Sequence, residues 1–240
     1  MEIAHQEHAA ETRHRGPNLG ALSVVYTVLF LASLVVTAVM TKGEHFPSPF
    51  VPPEVAQAFF ETNANAVRLS AFLQFGAAVP LGIFAGTAVN RLQFLGANVA
   101  GVLIAFFGGV AASLFAAASA LFQWVLAQPD VASHAETARV LHLLSFATGG
   151  VAYIVPFGLL VAGVSVIAWF TKLLPSWLVW LGLVIAAVAE LSSLSLVFTP
   201  AAYLLPAARF SGFIWMIAAG HLLPRSRIEA QRRSVRPSAA

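Results

Sequence analysis

VLHLLSFATGGVAYIVPFGLLVAGVSVIAWF, residues Val140–Phe170, runs for 31 residues without an Asp, Glu, Lys or Arg. A bilayer core of about 30 Å is crossed by about 20 apolar residues in a helix, so this run is long enough to span it with several residues to spare. Five more long apolar runs lie on either side of it: Leu19–Thr41, Val67–Val89, Leu95–Trp124, Trp177–Phe198 and Ala201–Leu223. Short connectors between them hold nearly all the charge. The 240 residues are 59% hydrophobic and 10% charged, with mean hydropathy +0.82, a balance that leaves a water-soluble fold without a surface and suits a bundle in lipid.

The expected fold is therefore all-α: a polytopic membrane protein of six transmembrane helices. Lipid offers no partner for backbone N–H and C=O groups, so each span must close its hydrogen bonds internally. A β-barrel would show alternating strands of about ten residues, whereas these runs are continuous. Leu95–Trp124 and Val140–Phe170, at 30 and 31 residues, are longer than a bilayer requires and must tilt or protrude. Gly149, Gly150 and Pro156 are positions where the fourth helix is expected to kink or loosen. The first long connector contains prolines at 47, 49, 52 and 53, so it is expected to run extended before a short helix over Glu54–Ala66.

The chain divides into an N-terminal tail (residues 1–18), the six-helix domain (19–223) and a basic C-terminal tail (224–240), both tails being expected as flexible, solvated ends. Arg13 and Arg15 precede an apolar run as in a secretory signal, but that run is 23 residues long against a signal core of about 7–15, and it is read as a retained first span. Positive charge sets the orientation. Arg13, Arg15, Arg91, Lys172, Arg225, Arg227, Arg232, Arg233 and Arg236 fall on the side of the termini, nine residues, against Lys42, Arg68, Arg139 and Arg209 on the other. Glu44, Glu54, Glu61, Asp130 and Glu136 also lie on that other side. Both termini are expected to be cytoplasmic. The arginine-rich tail, although basic enough to suggest nucleic acid, is read as an anchor to anionic headgroups because it abuts a span, and no nucleic-acid partner is expected.

Glu190 is the one acidic residue deep inside a span, and an ionisable group at that depth is a functional candidate. If the last two spans turn at Thr199–Pro200, Glu190 and Arg209 lie at matched depth and are expected to pair, with Ser192, Ser193 and Ser195 as further hydrogen-bonding groups. The competing structural reading is that such a pair only fixes how two helices dock. Arg139 and His142, spaced i and i+3, face the same way at the outer end of the fourth span. Arg68 stands at the outer end of the second, with Gln74 nearly two turns below. Together with Glu190 and Arg209 they form a candidate outward-facing polar pocket, the alternative for Arg68 and Arg139 being interfacial snorkelling.

Other chemistries find little support. No cysteine is present, which excludes disulfides and thiolate chemistry. His5, His8 and His14 lie in the N-terminal tail, His45 and His134 in outer loops, and none has the spacing of a zinc site. His142 and His221 lie at opposite faces, too far apart for one haem, and no cofactor or metal is expected. Ser193 and Ser195 have no histidine at matched depth and no Gly-x-Ser-x-Gly elbow. Gly82 and Gly86 form a Gly-x-x-x-Gly face, and Gly108, Gly109, Ala111, Ala112 and Ala116–Ala118 crowd the third span with small residues, the signature of close helix packing. The second and fourth spans share a Pro-x-Gly, at Pro80–Gly82 and Pro156–Gly158, a weak internal echo.

Three segments between Ala138 and Arg227 have a further likeness: Val155–Pro156–Phe157–Gly158–Leu159–Leu160; Leu174–Pro175–Ser176–Trp177–Leu178–Val179–Trp180–Leu181–Gly182; and Arg209–Phe210 with Ala218–Ala219–Gly220–His221–Leu222–Leu223. In these the chain resembles a family of uncharacterised bacterial multi-pass membrane proteins of the domain-of-unknown-function class. The resemblance implies a protein of the bacterial cytoplasmic (inner) membrane, with no catalytic residues to carry over. The expected role is a non-enzymatic membrane component that binds a protein partner or a lipid, the alternative being a small transporter using Glu190.

Overall fold

The computed structural model describes residues 13–235, so His5, His8 and Arg236 lie outside the described residues. It is 82% helical, without strands among the described residues. Six helical segments are long and apolar enough to cross a membrane. The elements in order are α1 (Leu19–Met40), α2 (Pro53–Thr62), α3 (Ala64–Phe94), α4 (Ala100–Leu126), α5 (Pro129–Ala132), α6 (Ala135–Gly149), α7 (Val151–Thr171), α8 (Ser176–Leu191), α9 (Leu204–Leu222) and α10 (Arg227–Val235). Two 3-10 segments, Ser192–Leu196 and Thr199–Tyr203, join α8 to α9.

Packing follows the chain. α1 lies on α3, α3 on α4, α4 on α7, α7 on α8 and α8 on α9, and α9 returns to α1 to close the ring. α4 and α7 cross closely. A Cβ on Gly108 would stand 2.5 Å from the Pro156 carbonyl oxygen and 2.7 Å from the Leu160 nitrogen, so the two backbones are in direct contact there. Lipid supplies no hydrophobic drive between helices, and such close approach replaces it with dispersion contacts. The small-residue reading of the third span is realised here. The Gly-x-x-x-Gly of the second is realised only at Gly82, which faces Ser113, whereas Gly86 meets nothing within 4 Å.

The fourth span breaks where the glycines predict. α6 ends at Gly149 and α7 starts at Val151, with Gly150 at φ −89° and ψ −106°. Pro156 lies inside α7 without ending it. A Cβ on Gly150 would come within 2.5 Å of the Phe146 carbonyl oxygen, so the break needs glycine. The short helix of the first connector starts at Pro53 and stops at Thr62, Asn63 turning the chain directly into α3. Phe59 and Phe60 on α2 pack with Val67, Leu126 and Ala138 into a small apolar cap at the end remote from the termini.

At the other end the described parts of the tails are not free. His14 N–H donates to the Arg225 carbonyl at 2.8 Å, and His14 Nε2 bonds Asn90 Oδ1 at 2.7 Å. α10 is tied down by Arg227 Nε to Phe94 O and Arg233 Nη1 to Leu173 O, each at 3.0 Å. Arg91, only 2% exposed, reaches the Leu223 and Pro17 carbonyls. The ends expected to be solvated are, in their described parts, bound across the helix ends, because carbonyls left open at helix termini are acceptors for these arginines.

Candidate functional site: a cavity roofed by the first connector

A cavity of about 540 Å³ lies inside the ring between α1, α3, α4, the α6–α7 break and α9. Small-molecule sites span about 300–1,000 Å³. Its floor is polar and its walls are mostly apolar.

Arg209 forms the floor. On α9 it shares the inward stripe of Leu205 and Gly212, one turn from each. Its Nη2 donates to the Gly149 carbonyl, at the α6–α7 break. The guanidinium carbon lies 5.1 Å from the ring centroids of both Phe30 and Tyr153, within cation–π range of each, and Nε is buried without a partner. Beside it the Tyr26 and Tyr153 hydroxyls, on side chains 1% and 2% exposed, bond each other. Tyr26 is fixed edge-on to Phe213, centroids 5.3 Å apart, and Tyr153 stacks on Phe157. Tyr26 is seven residues along α1 from Leu19 and Arg209 thirteen along α9 from Leu222, so their backbone positions lie about 10 and 20 Å from those helix ends, and the side chains converge between the two levels.

Higher up, Gln123 Nε2 donates to Gln74 Oε1 at 3.1 Å and Gln74 Nε2 to Ser70 Oγ at 3.3 Å, while Gln123 Oε1 is buried and unpartnered. Ser119 Oγ donates to the Ser145 carbonyl at 2.8 Å. The roof is the segment from Gly43 to Pro49. Lys42 and Gly43, at φ 54° and 90°, reverse the chain after α1, which is why glycine stands at 43. Thr41 Oγ1 donates to Thr37 O and Glu44 O, at 2.9 and 2.8 Å, and Asn63 Nδ2 donates to Glu44 Oε2 at 3.2 Å. Phe46 meets Phe60 and His142 edge-on, at 5.4 and 5.9 Å, and closes the space from above.

Of the residues expected to form the polar pocket, Arg209, His142 and Gln74 line this cavity, whereas Arg68, Arg139 and Glu190 do not. His142 is buried on its wall. Arg68 is half-buried with an unpartnered Nε, outside the lining, and Arg139 is exposed. Glu190 is exposed and makes no ion pair with Arg209, contrary to expectation. Matched depth put the two at the same level but did not put them on facing sides. The buried stripe of α8 is Leu178, Gly182, Ile185 and Ala189; Glu190 is one residue further, turned about 100° away from it. Ser192 donates to the Ala189 carbonyl instead of to Glu190. The transporter reading loses the geometry that motivated it, since Glu190 does not touch the cavity.

Tyr26 and Tyr153 were missed. They are two of only three tyrosines in the chain, and both lie well inside spans, where a hydroxyl must find a partner. Neither a family model, nor a curated protein, nor a solved structure matches the chain.

Proposed function

We propose that this chain is a non-enzymatic component of a bacterial cytoplasmic membrane that holds a lipid-like molecule in the cavity beneath its first connector. The observation behind this reading is an apolar cavity of about 540 Å³ ending on a cation with no acidic partner among the described residues. An unneutralised charge at membrane depth is expensive and marks a ligand pathway or site. Nine basic residues on the side of the termini against four opposite support cytoplasmic termini, so the roofed end of the cavity faces the external leaflet. Among the described residues nothing around the floor pairs a nucleophile with a base, which favours binding over turnover.

The experiment is native mass spectrometry of the full chain released from nanodiscs, alongside Ala116→Phe, which fills the cavity wall. Wild type is expected to retain one small molecule per chain and the filled variant to lose it while keeping its helical signal. A wild type that emerges bare, and stays bare after incubation with membrane lipid extract, refutes the reading.

A further inference from the structure

We infer that the cavity's ligand is an apolar monocarboxylate of the fatty-acid type, seated with its carboxylate on Arg209 and the Tyr26–Tyr153 pair and its hydrocarbon chain directed toward the roof. This rests on reading the cavity as a ligand site and adds the chemical class.

The floor is a donor surface. A guanidinium has five N–H donors, and Arg209 places one bond, on Gly149, with its Nε buried and unpartnered. When two hydroxyls bond each other one proton lies between them and the second is left to donate elsewhere. Arg209 and the tyrosine pair thus offer both charge-assisted and neutral donors within one small region. A carboxylate, acceptor-only with two oxygens, matches that set.

Charge selects among anions. Among the described residues Arg209 is the one Lys or Arg on the lining, so the floor neutralises a single negative charge. A phosphate monoester brings about −1.5 to −2 and would leave the excess uncompensated in a medium where burying charge is costly. At the roof the lining includes Glu44, which repels an anionic group placed there and favours the orientation with the carboxylate at the floor. Between floor and roof Phe30, Leu34, Ala77, Ala78, Ala116 and Leu205 present apolar surface for a hydrocarbon chain.

The test uses the full chain in nanodiscs of phosphatidylcholine, with radiolabelled palmitate as probe and methyl palmitate and hexadecyl phosphate as comparators. Palmitate is expected to bind saturably, one per chain, and the methyl ester about 10- to 100-fold more weakly, the loss of one hydrogen-bonded charge contact. Arg209→Gln should weaken palmitate by the same factor and leave the ester unchanged. Because acid and ester are compared on wild type, a variant that fails to fold does not decide the result. If the ester binds as tightly as the acid and Ala116→Phe abolishes both, the carboxylate assignment falls and the cavity reading stands. Displacement of palmitate by hexadecyl phosphate at equal or lower concentration also overturns the assignment. If no probe binds and native extracts yield no ligand either, both fall together.

Discussion

Replacing Gly108 by alanine tests the backbone contact that docks α4 on α7. The added Cβ would stand 2.5 Å from the Pro156 carbonyl oxygen, 2.7 Å from the Leu160 nitrogen and 2.8 Å from Leu159 Cβ. Two of the three are backbone atoms and cannot rotate aside. α4 and α7 must separate by about 0.9 Å locally, the difference between 2.5 Å and the 3.4 Å where ordinary contact begins. A gap of about 0.5–1 Å forfeits a quarter to a half of each dispersion contact, and overpacking of this kind costs about 1–3 kcal/mol. Alanine recovers up to about 1 kcal/mol of helix propensity, so a net destabilisation of about 1–2 kcal/mol is expected. Gly86→Ala is the matched control, because nothing lies within 4 Å of its added Cβ, and it should be neutral or stabilise by up to about 1 kcal/mol. Unfolding in mixed micelles titrated with dodecyl sulfate, followed by tryptophan fluorescence, would read both. Equal losses at the two positions, or a Gly108→Ala protein as stable as wild type, would refute the backbone contact.

Glu190→Gln should change stability by no more than about 0.5 kcal/mol, as for other exposed side chains, and its combination with Arg209→Leu should be additive within about 0.5 kcal/mol; a larger coupling in the same titration would restore the ion pair. Trp215→Phe removes the 3.1 Å bond from Nε1 to the Leu178 carbonyl at a fully buried contact between α8 and α9, and a loss of about 1–3 kcal/mol is expected. Arg91→Ala should free the described tail segments, seen as faster tryptic cleavage at Arg225 and Arg227; unchanged cleavage would mean that Arg91 does not hold them. The chain has no cysteine, so Ser48→Cys and Ser226→Cys report topology cleanly. An impermeant maleimide applied outside intact cells should label position 48 and not 226, and the reverse pattern overturns the cytoplasmic assignment of the termini.

The spans were legible because lipid makes a single demand of the sequence, length and apolarity, and all six runs meet it. The helix break at Gly149–Gly150 was legible for a local reason, paired glycines in an otherwise continuous run. The site was less so. Depth can be counted from a helix end at 1.5 Å per residue, which placed Glu190 and Arg209 level; facing depends on rotation about the axis, and one residue changes it by about 100°. The regular i, i+3, i+4 stripe of Leu205, Arg209 and Gly212 would have turned Arg209 inward, and the stripe ending at Ala189 would have turned Glu190 away. Apolar residues on every face of a span obscure such stripes, since lipid accepts what the core accepts. The roof was not legible at all: Phe46 finds Phe60 and His142 only through the tertiary fold. Nor do tail residues such as His14 and Arg233 announce that their partners are an amide on α3 and a carbonyl in the turn after α7.

The central claim, a discrete lipid-like occupant beneath the first connector, is tested most directly by photocrosslinking in native membranes. A benzophenone amino acid placed at position 146, on the cavity wall, is compared with one at position 72, where Phe72 is 70% exposed on the outer face of α3. Position 146 is predicted to capture one small species, absent from the products of position 72, which should capture phospholipids in proportion to the membrane. Bulk phospholipid at both positions, or no product at 146, would contradict the account.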